Sequence, residues 1–318
     1  MRNYMKRILL TAILATIYLF SCFGQNNPKQ WLNLNYADDD QVYHHLDIYL
    51  PEMDKTAYKA IIVIYGSAWF GNNMKQLAFD TYGKPLLQSG FAVIAINHRS
   101  SSDAPYPAQI NDVKAAIRFV RANAHRYHID ASFIGITGFS SGGHLASLAG
   151  ATNGVKEHTQ NNVTVDIEGE IGSNTSISSD VNAVVDWFGP IDMARMDDCK
   201  RPKEGNSPEA ALIRGNPADN PDLIALLNPI TFLDEKDPTF LVIHGEADKV
   251  VPHCQSDLFS KALKEKGLLD EFISVPEGEH GPVTFNEHTF KKMTDFFLRE
   301  AEKVVLSANE LGTSTGCQ

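Results

Sequence analysis

Beyond residue 40 the chain alternates short apolar segments with longer amphipathic ones. The apolar segments favour β-strands and lie at 44–50, 61–65, 91–96, 133–138, 181–187, 239–244 and 271–275. Those that begin at 61, 91, 133 and 239 are apolar without interruption, which is typical of strands covered on both faces. Strands that alternate with helices predict an α/β fold, with a mostly parallel central sheet and helices on both of its faces.

Amphipathic segments at 108–127, 255–267 and 284–304 predict helices. On the first of them, Asp112 and Arg118 favour helix-to-loop salt bridges over a catalytic role. Two polar stretches, 152–180 and 192–235, interrupt the alternation. Neither is long enough to bury a core of its own, so we expect both to be insertions that lie over the sheet and shape a binding site.

The first 24 residues have the pattern of an export signal, because three basic side chains within 1–7 precede an apolar run at 8–20. Two ends of this signal fit the sequence. Cleavage before Gln25 would release a soluble protein, whereas a lipoprotein signal that ends before Cys22 would leave a lipid on that cysteine. We expect an exported protein, periplasmic or secreted, and favour the soluble form over the lipid-anchored one.

The rest of the chain predicts a single domain, since α/β folds of roughly 200–250 residues commonly form one core. We expect an N-terminal extension over 25–43 and an α/β domain over 44–306 that carries both insertions. A flexible tail is expected over 307–318.

Charge and cysteine content narrow the classes of function. Twenty-eight basic against 39 acidic side chains give a net charge of −11, which argues against nucleic acid or an anionic membrane as the main partner. Four cysteines with no Cys-x-x-Cys pair make neither a disulfide scaffold nor a zinc ribbon, while a bridge between Cys199 and Cys254 stays open. The histidine pairs 44–45 and 125/128 lack cysteine or acidic ligands at matching spacing, so we expect no metal.

The segment GFSSGG at 138–143 carries the strongest chemical signal. The pattern Gly-x-Ser-x-Gly is weak alone, but here it follows a predicted strand and opens a helix. That context predicts a nucleophile elbow, in which the flanking glycines leave room for a sharp turn and Ser140 stands clear of the sheet. A glycine-rich phosphate-binding turn fits worse, since the spacing matches neither a dinucleotide-binding motif nor a Walker loop.

A serine hydroxyl becomes a good nucleophile only when a base removes its proton and an acid orients that base. Asp248 and His280 each follow a predicted strand, at the carboxyl end where sheet enzymes place their chemistry. We therefore predict a triad of Ser140, Asp248 and His280. Asp192, which follows the neighbouring strand, is the alternative acid.

The oxyanion of an acyl-transfer reaction needs N–H donors that are fixed in advance. We expect the backbone amide of Ser141 to supply one donor, and those of Ser67 and Ala68, in the loop after the strand at 61–65, to supply the others. Trp69 and Trp187 are candidate walls of the substrate pocket, with core packing as the alternative.

The chain resembles the α/β-hydrolase superfamily, within it the hormone-sensitive-lipase-like esterases, and most closely the bifunctional acetylxylan/feruloyl esterase-like proteins. The matching segments are YGSAW at 65–69, NHRSSSDAPYPAQINDVKAAIRFVR at 97–121, GFSSGGHLA at 138–146, DWFGP at 186–190, HGEADKVVP at 244–252 and GEHG at 278–281. The resemblance covers roughly 44–304. It implies an α/β-hydrolase fold and ester hydrolysis by a serine triad with no cofactor, and many members remove acyl groups from plant polysaccharides.

One departure concerns the oxyanion loop, where Tyr65-Gly66-Ser67 replaces the family's usual His-Gly-Gly. Backbone amides survive this change, so activity should persist. A positive φ at position 67, however, would be awkward for serine.

The leading hypothesis is an exported serine carboxylesterase that acts through an acyl-enzyme on small-molecule or polysaccharide esters, with acetyl or feruloyl groups on plant polysaccharide expected. Two alternatives stay open: a serine peptidase of the prolyl-oligopeptidase type, and a non-catalytic binding module with the same fold. We expect no cofactor, no nucleic-acid partner, and contact with a membrane only through a lipid on Cys22. The sequence carries no signal for an oligomeric state.

Overall fold

The computed structural model describes residues 30–196 and 207–314. The predicted export signal, with Cys22, lies outside these ranges, as does Cys199. Within them an eight-stranded sheet forms the centre of the molecule. The helices of the same ranges include none with both the length and the apolar character needed to cross a bilayer.

The central sheet is mostly parallel, as predicted. The strands in chain order are β1 (Gln30–Asn35), β2 (His45–Tyr49), β3 (Tyr58–Ile64), β4 (Ala92–Ile96), β5 (Ile129–Phe139), β6 (Glu157–Gln160), β7 (Val163–Asp166), β8 (Ala183–Trp187), β9 (Thr239–Gly245) and β10 (Leu269–Val275). Across the large sheet the order is β1-β2-β4-β3-β5-β8-β9-β10, and all pairings from β4 to β10 are parallel. The carboxyl ends of these six strands therefore meet at one edge of the sheet.

Helices cover both faces of this sheet. They are α1 (Lys75–Gln88), α2 (Ala108–Ala122), α3 (Ser141–Ala151), α4 (Pro208–Ile213), α5 (Pro221–Ala225), α6 (Cys254–Lys266) and α7 (Glu287–Ser314). Side chains of α2, α3 and α6 pack in one core, and those of α1 and α7 in another. Along β3, Ile62 and Ile64 point into the first core and Ile61 and Val63 into the second, which explains why this strand is apolar at every position.

Both charged residues singled out on α2 form helix-to-loop salt bridges, which confirms that prediction. Asp112 is buried and accepts a hydrogen bond from Nη2 of Arg99 at 2.6 Å. Arg118 is also buried and pairs with Glu168 of the insertion at 152–180. This second pair ties the insertion to the helix beneath it.

Several elements differ from the sequence expectations. The segment expected as an N-terminal extension contributes β1 to the edge of the sheet, and the insertion at 152–180 contains the β6–β7 hairpin. Helix α1, which contains Gly83 and Pro85, is not among the helices predicted from the sequence. The last helix continues to Ser314, through most of the segment expected as a flexible tail.

Candidate active site

Ser140 lies at the sharp turn between β5 and α3, with φ 55° and ψ −128°. Serine rarely adopts a positive φ, and such strain is typical of functional turns. Both flanking glycines are required for space. A Cβ added at Gly138 would lie 2.3 Å from the carbonyl oxygen of Gly142, and one added at Gly142 would lie 2.5 Å from that of Tyr65. The turn is the predicted elbow, and it holds Ser140 at the N-terminus of α3.

His280 and Asp248 form a hydrogen-bonded pair, with Nδ1 of the imidazole 2.6 Å from Oδ2 of the carboxyl group. Because a carboxylate only accepts hydrogen bonds, Nδ1 carries the proton, and Nε2 of the neutral ring remains as the basic nitrogen. The side chain of Asp248 is fully buried, whereas that of His280 is 19 % exposed. The imidazole of His280 is therefore reachable from solvent, whereas the carboxylate of Asp248 is not.

Four donors face the carboxyl group of Asp248. Its Oδ1 accepts the backbone amides of Val250 at 2.7 Å and Val251 at 3.0 Å. Its Oδ2 accepts from His280 and lies 3.3 Å from Nε2 of His244. Burial alone would raise the pKa of Asp248, but the hydrogen bonds from His244 and His280 outweigh burial and hold this pKa below its ordinary value. Asp248 is thus a carboxylate at neutral pH.

The loops that carry Asp248 and His280 are hydrogen-bonded to each other. The amide of Ala247 donates to the carbonyl of Gly278 at 2.8 Å, and that of Glu246 donates to the carbonyl of Val275 at 3.0 Å. These bonds join the ends of β9 and β10 and set the distance between acid and base.

The last residue of β8 and the residue after it connect Ser140 to this pair. The amide of Ser140 donates to the carbonyl of Trp187 at 2.9 Å. The ring of Phe188 lies 4.6 Å from that of His280 and 6.4 Å from that of Phe139, the residue before Ser140. The strands β5, β8, β9 and β10 are neighbours, so Ser140, Asp248 and His280 all lie at one edge of the sheet.

Within the described residues, the hydroxyl of Ser140 makes no hydrogen bond, to His280 or to any other group. The structure therefore joins the predicted acid to the predicted base and leaves the hydroxyl of the predicted nucleophile unengaged. In many hydrolases the bond between base and nucleophile is long without substrate and shortens in the Michaelis complex.

Asp192, the alternative acid, serves a different purpose. Its Oδ1 accepts the amide of Ala194 at 3.1 Å and caps a short 3₁₀ helix. Burial raises the pKa of Asp192. Because Asp248 is the carboxylate bonded to His280, the structure favours Asp248 over Asp192 as the partner of the base.

The oxyanion loop differs from the expectation at one donor. The amide of Ser67 donates to Oγ of Ser141 at 2.9 Å, so it is already satisfied and is not free to bind an oxyanion. The amide of Ala68 has no acceptor among the described residues, and that of Ser141, as the first residue of α3, has no partner within the helix. The positive φ values fall at Ala68 (51°) and Trp69 (60°), so serine at 67 escapes the strain considered for it.

Trp69 and Trp187 lie in the core and do not wall a pocket, since neither side chain is more than 1 % exposed. The ring of Trp69 meets that of His144 edge-on at 5.4 Å, and the ring of Trp187 lies 5.1 Å from that of Phe285. The aromatic residue that the oxyanion loop presents to solvent is Phe70, which is 52 % exposed. Sequence reasoning missed it because no periodicity shows which of two adjacent aromatic residues points outward.

His44, the first of the histidine pair at 44–45, bonds to two carboxylates. Nδ1 of His44 lies 2.7 Å from Asp39, and Nε2 lies 3.3 Å from Asp112. Burial lowers the pKa of His44, but its hydrogen bonds with the two carboxylates outweigh burial and raise it. Over 30–196 and 207–314, no group of three His, Cys, Asp or Glu side chains is arranged to hold a metal ion.

Comparison with known proteins identifies the family. The model of the BD-FAE family matches residues 46–263, which is more than half of the chain. The chain belongs to the BD-FAE family of α/β-hydrolase esterases. This membership confirms the fold and the family expected from the sequence motifs.

Individual proteins similar to this chain are also esterases. The esterase LipQ of Mycobacterium tuberculosis is 31 % identical over 223 residues, which cover 69 % of this chain and 49 % of LipQ. A bifunctional GH43-CE of Bacteroides eggerthii is 67 % identical with a TM-score of 0.85, over 86 % of this chain and 35 % of its own. A truncated carbohydrate esterase from gut microbiota is 56 % identical with a TM-score of 0.86, over 88 % of this chain and 99 % of its own. The chain thus spans about half the length of LipQ and about a third of the bifunctional chain.

Proposed function

We propose that this BD-FAE protein is a serine carboxylesterase with Ser140 as nucleophile, His280 as base and Asp248 as the acid that orients the base. The observation that carries the proposal is the 2.6 Å bond between Asp248 and His280, at the sheet edge where the strained elbow places Ser140. This bond fixes the tautomer in which Nε2 of His280 accepts a proton.

In the first half-reaction, Oγ of Ser140 attacks the ester carbonyl carbon while Nε2 of His280 takes its proton. The carbonyl oxygen becomes an oxyanion, which the amides of Ala68 and Ser141 bind. The bond from carbon to the alcohol oxygen then breaks, and the alcohol leaves with the proton from His280. Water repeats these steps on the acyl group of Ser140, releases the acid and restores the enzyme.

Ser140→Ala tests this assignment. Loss of the nucleophile should lower kcat for p-nitrophenyl acetate by roughly 10⁴- to 10⁶-fold, with the circular dichroism spectrum unchanged. Ser147→Ala is a matched control, because Ser147 is buried on the same helix and its hydroxyl has no partner among the described residues. Unchanged turnover in Ser140→Ala would contradict the proposal.

We propose acetyl or feruloyl esters on plant polysaccharide as the substrates. Two of the similar proteins are a carbohydrate esterase and a bifunctional GH43-CE, which supports a carbohydrate ester. The exposed ring of Phe70 also supports it, because aromatic surfaces suit sugar rings and aryl acids. Acetate and ferulate release from xylan, measured beside a chain-length series of p-nitrophenyl esters, tests the choice. A preference for long acyl chains with no release from xylan would contradict it.

We propose that the protein is exported. The basic and apolar segments at 1–24 support export, and so does Cys254, which is disulfide-bonded, because disulfides persist mainly in oxidising compartments. Cys199, which the sequence leaves open as a bridge partner of Cys254, lies outside the described residues. Mass spectrometry of the mature protein distinguishes an N-terminus at Gln25 from a lipid-modified Cys22. An intact leader on active protein in the cytosol would contradict export.

A further inference from the structure

His244 is the penultimate residue of β9 and lies against Asp248, the proposed catalytic acid, near the same carboxylate oxygen that binds His280. Its side chain is fully buried. Nε2 lies 3.1 Å from the carbonyl oxygen of Val251 and 3.3 Å from Oδ2 of Asp248, and Nδ1 lies 2.7 Å from Oγ of Ser256. Both nitrogens of the ring therefore have polar partners.

These partners fix the protonation of the ring. The carbonyl of Val251 and the carboxylate of Asp248 only accept, so Nε2 carries a proton. Burial lowers the pKa of His244 and outweighs the hydrogen bond with Asp248, which would raise it. The ring is thus neutral, Nδ1 is an acceptor, and the hydroxyl of Ser256 donates to it.

We infer that His244 is a positioning residue of the esterase: its Nε2–H, which donates to the carbonyl of Val251, also faces the oxygen of Asp248 that binds His280, at 3.3 Å, and helps to hold that carboxylate in place. The inference rests on the proposed function. Oδ2 of Asp248 is shared between two imidazoles, so part of its negative charge is directed away from His280. The carboxylate therefore orients His280 but binds its protonated form less tightly than it would without His244.

The far end of this arrangement is anchored on α6. Ser256 belongs to the first turn of that helix, two residues after the disulfide-bonded Cys254. Ser256 is thus hydrogen-bonded to His244, Nε2 of His244 lies 3.3 Å from Asp248, and Asp248 is hydrogen-bonded to His280. A covalently held helix end thereby fixes the acid, and the acid fixes the base.

Among the described residues, His253 also faces His244, in addition to Asp248. The ring of His253 lies 5.2 Å from that of His244. Nε2 of His253 is 2.9 Å from Oγ of Ser274, and Nδ1 is 3.4 Å from Asp257. Ser274 in turn donates to Glu246 at 2.8 Å. His253 therefore has its own partners, and it serves as a neighbouring control.

The test is the pH dependence of kcat/KM for p-nitrophenyl acetate, with His244→Asn as the main variant. Without the donor from position 244, Asp248 binds the protonated form of His280 more tightly. The acid limb of the profile, where kcat/KM falls as His280 is protonated, should therefore move to higher pH by about half a unit or more. We also expect kcat to fall about tenfold. His244→Gln, whose longer amide reaches Asp248, should return the limb toward wild type, and His253→Gln should leave it in place.

A fall in kcat with an unmoved acid limb would overturn the inference, because it would assign His244 a packing role alone. If His244→Asn does not fold, Ser256→Ala takes its place. It removes the donor to Nδ1, and the same but smaller upward movement is expected; an unmoved limb would again overturn the inference. The pH dependence of fluorophosphonate labelling at Ser140 gives a second readout. Failure of the proposed function appears differently, as wild-type protein that is not labelled at any pH.

Discussion

Asp186 and Asp248 are two buried aspartates at the carboxyl ends of the neighbouring strands β8 and β9. The pKa of Asp186 is raised, whereas that of Asp248 is lowered. Asp186 is 0 % exposed, its Oδ1 accepts the amide of Gly189 at 3.1 Å, and its Oδ2 has no partner among the described residues. Burial raises the pKa of Asp186 to about 7. Asp248 has four donors, and its pKa is lowered.

Burial favours the neutral form of both carboxyl groups, and the donors around Asp248 outweigh it, whereas the single donor to Asp186 does not. Asp186 packs beneath the elbow, where a Cβ on Gly143 would lie 2.4 Å from its Oδ1. A neutral acid fits that crowded position. Asp248, by contrast, must be charged to orient an imidazole, and the protein supplies the donors that keep it so.

Activity should separate the two aspartates most strongly. Asp248→Asn keeps the shape of the side chain but loses the charge and the acceptor for His280, so kcat should fall roughly 10⁴-fold. Asp186→Asn makes the same chemical change at a site that is already neutral near pH 6, and kcat there should stay within about tenfold of wild type. Steady-state kinetics on p-nitrophenyl acetate measures both. Equal losses would remove the distinction.

The contributions of Asp186 and Asp248 to the free energy of unfolding should change with pH in opposite directions. For Asp186 the pKa is about 7 in the folded protein and near 4 in the unfolded chain. Between these values only the folded state holds the proton, so the free energy of unfolding falls as pH rises, by up to about 4 kcal/mol. For Asp248 the folded pKa is the lower one, so its contribution is present at neutral pH and is lost as pH falls through that folded value.

Guanidinium unfolding at pH values of about 5 and 8 checks this sign. Asp186→Asn should be more stable than wild type at the higher pH. Its free energy of unfolding should also fall much less than that of the wild type between the lower and the higher pH. Parallel pH dependences in the wild type and Asp186→Asn would mean that Asp186 is charged in the folded protein, and the contrast with Asp248 would fail.

A smaller effect is expected at the oxyanion loop, where donors and acceptors are also matched. Ser141→Ala removes the acceptor of the Ser67 amide and loosens the loop that presents Ala68. We expect kcat to fall about tenfold with KM little changed, while Ser141→Thr, which keeps a hydroxyl, should retain activity. A rise in kcat would mean that the freed amide of Ser67 joins the oxyanion site, and would contradict the assignment of two donors.

The sequence predicts the parts of this molecule whose cause is local. Buried parallel strands need continuous apolar runs, and the elbow needs glycines beside Ser140. Both can therefore be predicted from the sequence. The bond from Ser67 to Ser141 and the contact of His244 with Asp248 depend on how separate strands are placed, which no local pattern encodes. Trp69 was ambiguous for the same reason, because an aromatic ring suits a core and a pocket equally.

His280, the proposed base, lies in the loop that follows β10, an edge strand of the large sheet. Among the described residues β10 pairs with β9 alone, and its side chains are mostly half-buried. Border elements of this kind are the first to open locally on warming. Detachment of β10 would carry His280 away while Ser140 and Asp248 stayed in the body of the protein. Ester hydrolysis should thus be lost on heating at a temperature below the melting temperature of the protein. It should return on cooling, when β10 pairs with β9 again.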